Sequence, residues 1–486
     1  MIPLMKMGEM AAKYPQHPAL IEGDRVVAWP ELQLLTERCL RGLVNKHDAL
    51  SFKRVAYMAE NRYEIVILMG AFSTLKVPFV GLDFTATYEQ KAHCVKSIEA
   101  DCLVYGEKFA DEALQIASEL NIPVICLETE LPSLLSDEFD GLELQLAGIE
   151  RPFESLSFTS GTSGLPKVVY RNAPFDARRF GYLIENFHFD QTDVFLVSLP
   201  FYHVSATGWA RLFMGLGGTV VLGDAARPAS MAQLMVDRGV TVTLMVPPTL
   251  HRVVKAFETQ AVTEEPKLKF LIVGGKNFPV QLKHRSLDVL GPVVHEYYGS
   301  TETGVNTISR PENIRRHPDS VGLVMDGSDI VILDEFHQIA PTGVKGKVAI
   351  YSYQNMAGYL FKKSDAVVID DKVYIITPDY GWFDEEGYLF LASRSNSEFN
   401  VYEVDNRLRD IAGIDDLYVM VDSSSELHIF IMPEHEANEE MIGVDVIAAV
   451  QELGFANAHV RMVAEIPYSM SGKVKEKDLK MLYQVM

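Results

Sequence analysis

Short, almost continuous apolar runs alternate with amphipathic stretches along most of the chain. Residues 54–58 read as a buried strand and 64–74 as the helix that follows it. Residues 101–105 and 123–127 read as strands on either side of a helical pattern at 111–120. The rhythm returns with strands at 193–198, 218–222, 241–246 and 270–273, and with helices at 231–238 and 249–256. Strand, helix, strand at this spacing predicts parallel βαβ units in a large α/β domain. Past about residue 320 the texture changes to short strands (328–334, 346–351, 366–369, 372–376, 388–391) broken by Gly, Pro and paired Asp. Ile369-Asp370-Asp371-Lys372 reads as a hairpin turn among them. The pattern then restarts with a helix at 404–411, strands at 418–421 and 427–431, and a helix at 447–452. The expected architecture is α/β: a large N-terminal domain of mixed α/β sheets over 1–394, with a β-rich subdomain at 320–394, and a small C-terminal α+β domain over 395–486.

Composition narrows the function. The 486 residues carry 48% hydrophobic and 23% charged side chains, an ordinary globular balance that excludes wholesale disorder. Their number suits roughly two to four folded units. With 44 Lys and Arg against 66 Asp and Glu, the net charge of −22 argues against a nucleic-acid binder, which needs a basic surface. A local basic pocket for a small anion is still open. Four cysteines (Cys39, Cys94, Cys102, Cys126) without a CxxC pair read as reduced thiols of a cytoplasmic protein. The first residues lack the apolar core of a secretion signal, and the most apolar early stretch, 65–72, is far short of the ~20 residues of a membrane span.

The sharpest local signal is Ser157-Phe-Thr-Ser-Gly-Thr-Ser-Gly-Leu-Pro-Lys167. Glycines let backbone N–H groups turn toward an anion, hydroxyls add donors, and the lysine supplies charge, which is what cradling a polyphosphate requires. The spacing does not fit GxxxxGK[ST], so the P-loop phosphotransferase reading fails. Further motifs follow in order: Leu199-Pro-Phe-Tyr-His203, Tyr297-Tyr-Gly-Ser-Thr-Glu-Thr-Gly304, Thr377-Pro-Asp379, Ser393-Arg394 and Pro467-Tyr-Ser-Met-Ser-Gly-Lys473. Together with 19–43, similar to an opening strand and helix, this series resembles the adenylate-forming superfamily over essentially the whole chain. That superfamily comprises acyl-CoA synthetases, the adenylation domains of nonribosomal peptide synthetases, and luciferases.

The resemblance implies a role for each motif. Lys167, Thr159, Ser160, Gly161, Thr162, Ser163 and Gly164 would hold the ATP phosphates and stabilise charge as pyrophosphate leaves. Glu302 would ligate Mg²⁺ and Thr301 would contact the α-phosphate. Tyr298, Gly299 and Gly275 would line the nucleotide site, while Asp379 would accept from the ribose hydroxyls. Arg394 would reach ribose or phosphate from a hinge, about which a mobile C-terminal domain turns. His203 reads either as a satisfied core residue or as a gate at the carboxylate pocket. Lys473 would offset the repulsion between carboxylate and α-phosphate. The implied activity is acyl-AMP formation from a carboxylic acid and MgATP, then thioester formation with CoA. Alternatives are a carrier-protein phosphopantetheine as acceptor, or a nucleotide-binding pseudoenzyme.

The chain departs from the family pattern in two places. Pro378 replaces a glycine, and the post-hinge run Arg394-Ser-Asn-Ser-Glu-Phe-Asn-Val-Tyr-Glu-Val-Asp405 lacks the usual lysine and glycine, with Asn396 where a hinge aspartate is common. The resemblance places the acid pocket at residues that include Trp209, Met214, Gly274, Gly275 and Lys276, and a mostly apolar lining of this kind would fit a fatty or aryl acid. Arg407, Arg409 and the basic residues of 473–480 are candidate contacts for an acidic carrier protein.

Overall fold

The computed structural model describes residues 1–144, 150–159, 164–173, 177–392, 400–422, 426–455 and 457–483. The chain forms two compact units, each discontinuous in sequence. The first comprises Met1–Leu244, Val262–Leu271 and Gln354–Ser364; the second comprises Met245–Ala261, Ile272–Tyr353 and Asp365–Met486.

In the first unit, strands Phe79–Gly81, Val55–Met58, Cys102–Tyr105 and Val124–Cys126 lie side by side in that order, all parallel. Val55–Met58 and Cys102–Tyr105 are buried at every position, the continuous apolar pattern of strands covered on both faces. Helices Tyr63–Thr74, Tyr88–Ser97 and Ala110–Leu120 make the crossovers. A second sheet runs Val242–Met245, Val194–Val197, Thr219–Leu222 and Pro18–Glu22 in parallel, edged by antiparallel Arg25–Ala28. A third, antiparallel sheet pairs Ser155–Phe158 with Val168–Arg171, and the latter with Gly358–Tyr359. It carries the Ser/Gly loop at one end.

In the second unit, Val294–Ser300 and Gly304–Ser309 form a tight antiparallel pair. The β-rich region is a five-stranded antiparallel sheet of Ser328–Leu333, Gly346–Ser352, Lys372–Phe383, Ala366–Ile369 and Leu389–Ala392. Its long strand passes the expected end at 376 because residues 377–379 bulge out: Ile376 pairs with Ala349 and Tyr380 with Lys347. A proline tolerates that site, since a bulged residue owes no ladder hydrogen bond. The chain ends in strands Ile414–Val421, Leu427–Pro433 and Ala458–Met462, the first pair antiparallel and the second parallel. Helices Val401–Arg409 and Glu439–Glu452 supply an apolar core with this sheet through Val404, Leu408, Ile429, Ile431, Ile442 and Val446. Phe430, Ile466 and Leu479 form a separate apolar cluster with Tyr468 and Val474. Among the described residues no helix is long and apolar enough to cross a membrane.

Candidate active site

The residues singled out by the motifs fall into both units, and each set has its own geometry. In the first unit, the antiparallel hairpin is closed at Thr159 and Lys167. The Thr159 amide donates to the Lys167 carbonyl at 2.9 Å, and the Lys167 amide donates to the Thr159 hydroxyl at 3.2 Å. The exposed Lys167 ammonium lies 5.0 Å from the centre of the Tyr359 ring. Around Gly164 there is open space. Ser160, Gly161, Thr162 and Ser163 lie outside the described residues, as do Arg394 and Asn396.

The stretch before His203 is clasped by one side chain. Asn61 donates to the Leu199 carbonyl at 2.8 Å and accepts from the Phe201 amide at 2.7 Å. A side chain at Gly81 would meet the Tyr202 backbone at 2.6 Å, so the chain passes there only over glycine. His203 then caps helix Val204–Leu216, its amide donating to Pro200. Trp209 and Met214, expected at the acid pocket, are buried on that helix; Trp209 stacks on Phe195, Phe213 and Phe270. They are core side chains, drawn inward by this aromatic cluster.

In the second unit the bulge at 377–379 places Asp379. The Thr377 hydroxyl donates to the Val348 carbonyl at 2.9 Å, and the Asp379 amide donates back to that hydroxyl at 3.2 Å. The Asp379 carboxylate accepts from the Tyr298 hydroxyl at 2.8 Å. Tyr298 is 8% exposed. At Gly299 a Cβ would come within 1.9 Å of the Gly304 carbonyl, and at Gly274 within 2.4 Å of the Tyr297 ring. Both glycines are there because neighbouring atoms leave no room for a side chain.

Thr301 and Glu302 sit in the turn between the paired strands. The Ser300 hydroxyl accepts from the Glu302 and Thr303 amides, both at 3.2 Å, and Asn306 donates to the Thr303 hydroxyl at 2.9 Å. A turn so pinned presents a carboxylate and a hydroxyl from adjacent residues. Oxygen donors of this kind fit Mg²⁺.

Lys473 belongs to a closed hairpin. Ser469 N–H donates to the Lys473 carbonyl at 2.6 Å, Lys473 N–H to the Ser469 hydroxyl at 3.1 Å, and Lys475 N–H to the Pro467 carbonyl at 2.8 Å. Tyr468 faces Val474 across it. Gly472 has φ of +73°, and a Cβ there would strike Val246 at 2.5 Å.

Several supporting residues escaped the sequence reading. Ser300 and Asn306 act within their own turn, where a hydroxyl or amide bonding two or three residues away was the signal available, whereas Asn61 and Tyr359 act through long-range contacts that no local pattern announces. Arg409, expected as a surface contact for a carrier protein, is instead bound to Asp405 and Asp416 with 18% of its side chain exposed. Its spacing of four residues from Asp405 on a helix was the signal available. The four cysteines are buried and free, and burial pushes the Cys94 and Cys102 thiols up to about 12. Thiols raised in this way are not activated as nucleophiles. Among the described residues, Glu426, His428 and His459 bring ligand atoms within 4.8 Å. Arg461 can only donate to His428 Nδ1, which leaves Nε2 protonated and donating to Asp422. Neither ring nitrogen offers a lone pair to an ion.

Residues 8–360 match the family model described as AMP-binding enzyme. The chain belongs to this family. It is therefore a member of the adenylate-forming superfamily, as its motifs implied, and the α/β class is borne out. The chain is 24% identical to the fatty acid–[acyl-carrier-protein] ligase ScoC of Streptomyces coeruleorubidus, over 96% of this chain and 93% of that one. It is 26% identical to the 2-succinylbenzoate–CoA ligase of Bacillus pumilus (strain SAFR-032), over 78% and 75%. Its fold is that of ATP-bound MatB from Rhodopseudomonas palustris, with a TM-score of 0.77 at 20% identity, covering 100% of this chain and 99% of that one.

Proposed function

We propose that this protein condenses an apolar fatty or aryl carboxylic acid with ATP to give acyl-AMP and pyrophosphate, then passes the acyl group to the thiol of CoA. The class of the enzyme, an AMP-forming acid–thiol ligase, follows from its family; the acid and the thiol are the proposal. The observation that carries it is the Tyr298–Asp379 pair, a carboxylate fixed by a bulge and a buried phenol at the positions the family motifs assign to nucleotide binding.

In this reading Asp379 accepts from the ribose hydroxyls, and Tyr298, Gly299 and Gly275 bound the base. Thr159 to Gly164 and Lys167 hold the β- and γ-phosphates, with Arg394 reaching ribose or phosphate. Glu302 would hold Mg²⁺, which when bound spreads the negative charge of the phosphates, and Thr301 contacts the α-phosphate. His203 gates the acid. Lys473 stabilises the charge that builds as a carboxylate oxygen bonds to the α-phosphorus and the bond to pyrophosphate breaks. The thiol sulfur then bonds to the acyl carbon, AMP departs, and the thiol proton goes to solvent.

A second reading replaces CoA with a carrier-protein phosphopantetheine. The altered run at 394–405 favours it, as does likeness to an acyl-carrier-protein ligase over 96% of the chain. The test is incubation with MgATP and a carboxylic-acid library, with and without CoA, read by mass spectrometry. Acyl-CoA formed only with CoA supports the first reading, and acyl-AMP accumulating in both samples supports the second. No product from a broad library would sink both in favour of a pseudoenzyme.

A further inference from the structure

The hairpin that carries Lys473 is fastened by a chain of polar contacts that begins at the wall of the nucleotide site. Asn277, two residues past Gly275, donates to Asp405 at 3.4 Å. Arg409 donates to Asp405 at 3.0 Å and, through its other nitrogens, to Asp416 at 3.1 Å and the Leu417 carbonyl at 2.9 Å. Asp416 accepts from the Leu417 amide at 2.8 Å and, on its second oxygen, from the Tyr468 hydroxyl at 2.8 Å. Side-chain exposure of Asp405, Arg409 and Asp416 is 13%, 18% and 10%, so the contacts are made largely out of water. Two carboxylates share one guanidinium, and the phenol supplies the donor the cation cannot. Gln281 adds two bonds in parallel, to the Asn406 carbonyl at 2.9 Å and to Asp410 at 2.6 Å.

Tyr468 opens the hairpin and Val474 faces it, with both packed on the cluster of Phe430, Ile466 and Leu479. Lys473 is the residue next to Val474, and its backbone is bonded to Ser469, the residue next to Tyr468. Fixing the Tyr468 ring therefore fixes the stretch of backbone from which Lys473 leaves.

We propose that Tyr468, held by Asp416 and Arg409, is a positioning residue that aims Lys473 at the nucleotide. The relay from Asn277 keeps the lysine hairpin in register with the turn at Gly275. This rests on the role given to Lys473 above. Removal of one hydroxyl leaves the ring packed while the hairpin loses its polar anchor.

The experiment is Tyr468→Phe beside Lys473→Ala, each assayed by ATP–pyrophosphate exchange and by thiolysis of supplied acyl-AMP. Tyr468→Phe should lower kcat for exchange by about ten- to a hundredfold, the scale of a small misplacement of a catalytic group, and leave KM almost unchanged. Thiolysis and the melting temperature should stay near the wild type. Wild-type exchange would overturn the proposal, and so would equal loss in both half-reactions with a lower melting temperature. If Lys473→Ala leaves exchange intact, the role of Lys473 itself fails. Aim is then read by amine acylation and mass spectrometry. A severalfold change in Lys473 labelling in Tyr468→Phe, against the other lysines, supports the anchor; no change refutes it.

Discussion

Two turns of this protein end in a lysine and draw on the same few residue types, yet they are held differently. The turn leading to Lys167 closes at its base through two hydrogen bonds between Thr159 and Lys167, and the space at Gly164 is open. The turn leading to Lys473 closes in a similar way, Ser469 to Lys473. It also presses on Val246 through Gly472 and hangs from Asp416 through Tyr468. Among the described residues the first turn has one distant hydrogen bond beside its lysine, the Pro166 carbonyl accepting from His93 Nε2 at 3.2 Å, whereas the second is held on both sides of its lysine hairpin, at Gly472 and at Tyr468. Glycine, serine and lysine make the two look alike in sequence, and what aims the lysine is the packing behind it.

Removing the two lysines tests the comparison hardest. Lys473→Ala should lower pyrophosphate exchange by about a hundred- to a thousandfold, the scale seen when a group that stabilises transition-state charge is lost. Lys167 would share the phosphates with hydroxyls and backbone amides, so Lys167→Ala should cost about tenfold less than that. Melting temperatures should hold in both, because neither side chain lies in a core. Equal losses in the exchange assay would erase the distinction.

Glycine substitution sharpens it next. Gly472→Ala places a methyl 2.5 Å from Val246 at a left-handed φ of +73°, and should destabilise the protein by about 1–3 kcal/mol in denaturant unfolding. Gly164→Ala meets nothing and should change stability by less than about 0.5 kcal/mol. A neutral Gly472→Ala would mean that the hairpin does not press on Val246.

Legibility followed the same division. The parallel strands could be read because Val55–Met58 and Cys102–Tyr105 are buried throughout and their runs carry no polar break. The long strand Lys372–Phe383 was expected to end at 376, since Pro378 looks like a terminator until the bulge around it is known. Helix Glu439–Glu452 was expected only from 447, because Met441 and Val444 stand exposed and spoil its apolar stripe. Candidates that lie within motifs, such as Glu302, Asp379 and Lys473, could be named because the family resemblance assigns them a role. Their supports could not: Tyr298 reaches Asp379 across 81 residues, and Tyr468 reaches Asp416 across 52. Such contacts are made by the fold and leave no periodic trace.

The smallest effect is expected at a brace shared by the elements behind Lys473. Asp415 neighbours Asp416 on strand Ile414–Val421, and it meets His251 at 3.3 Å and Lys255 at 2.7 Å on helix Pro247–Glu258. That helix starts beside Val246, the residue on which Gly472 rests. The close approach of His251 first, then the Lys255 ammonium, holds the Asp415 carboxyl well below the usual carboxylate range. A depressed folded value binds protons less readily than the unfolded chain. The contribution is therefore present above the unfolded pKa of about 3.9 and is lost as pH falls through the lower folded value. Because the group is partly solvated, screening limits it to about 0.5–1 kcal/mol. Asp415→Asn should show that deficit in denaturant unfolding at neutral pH and converge on the wild type in strong acid. A deficit independent of pH would mean that the carboxylate fills space there, and that the lysine hairpin is braced by packing and by Tyr468 alone.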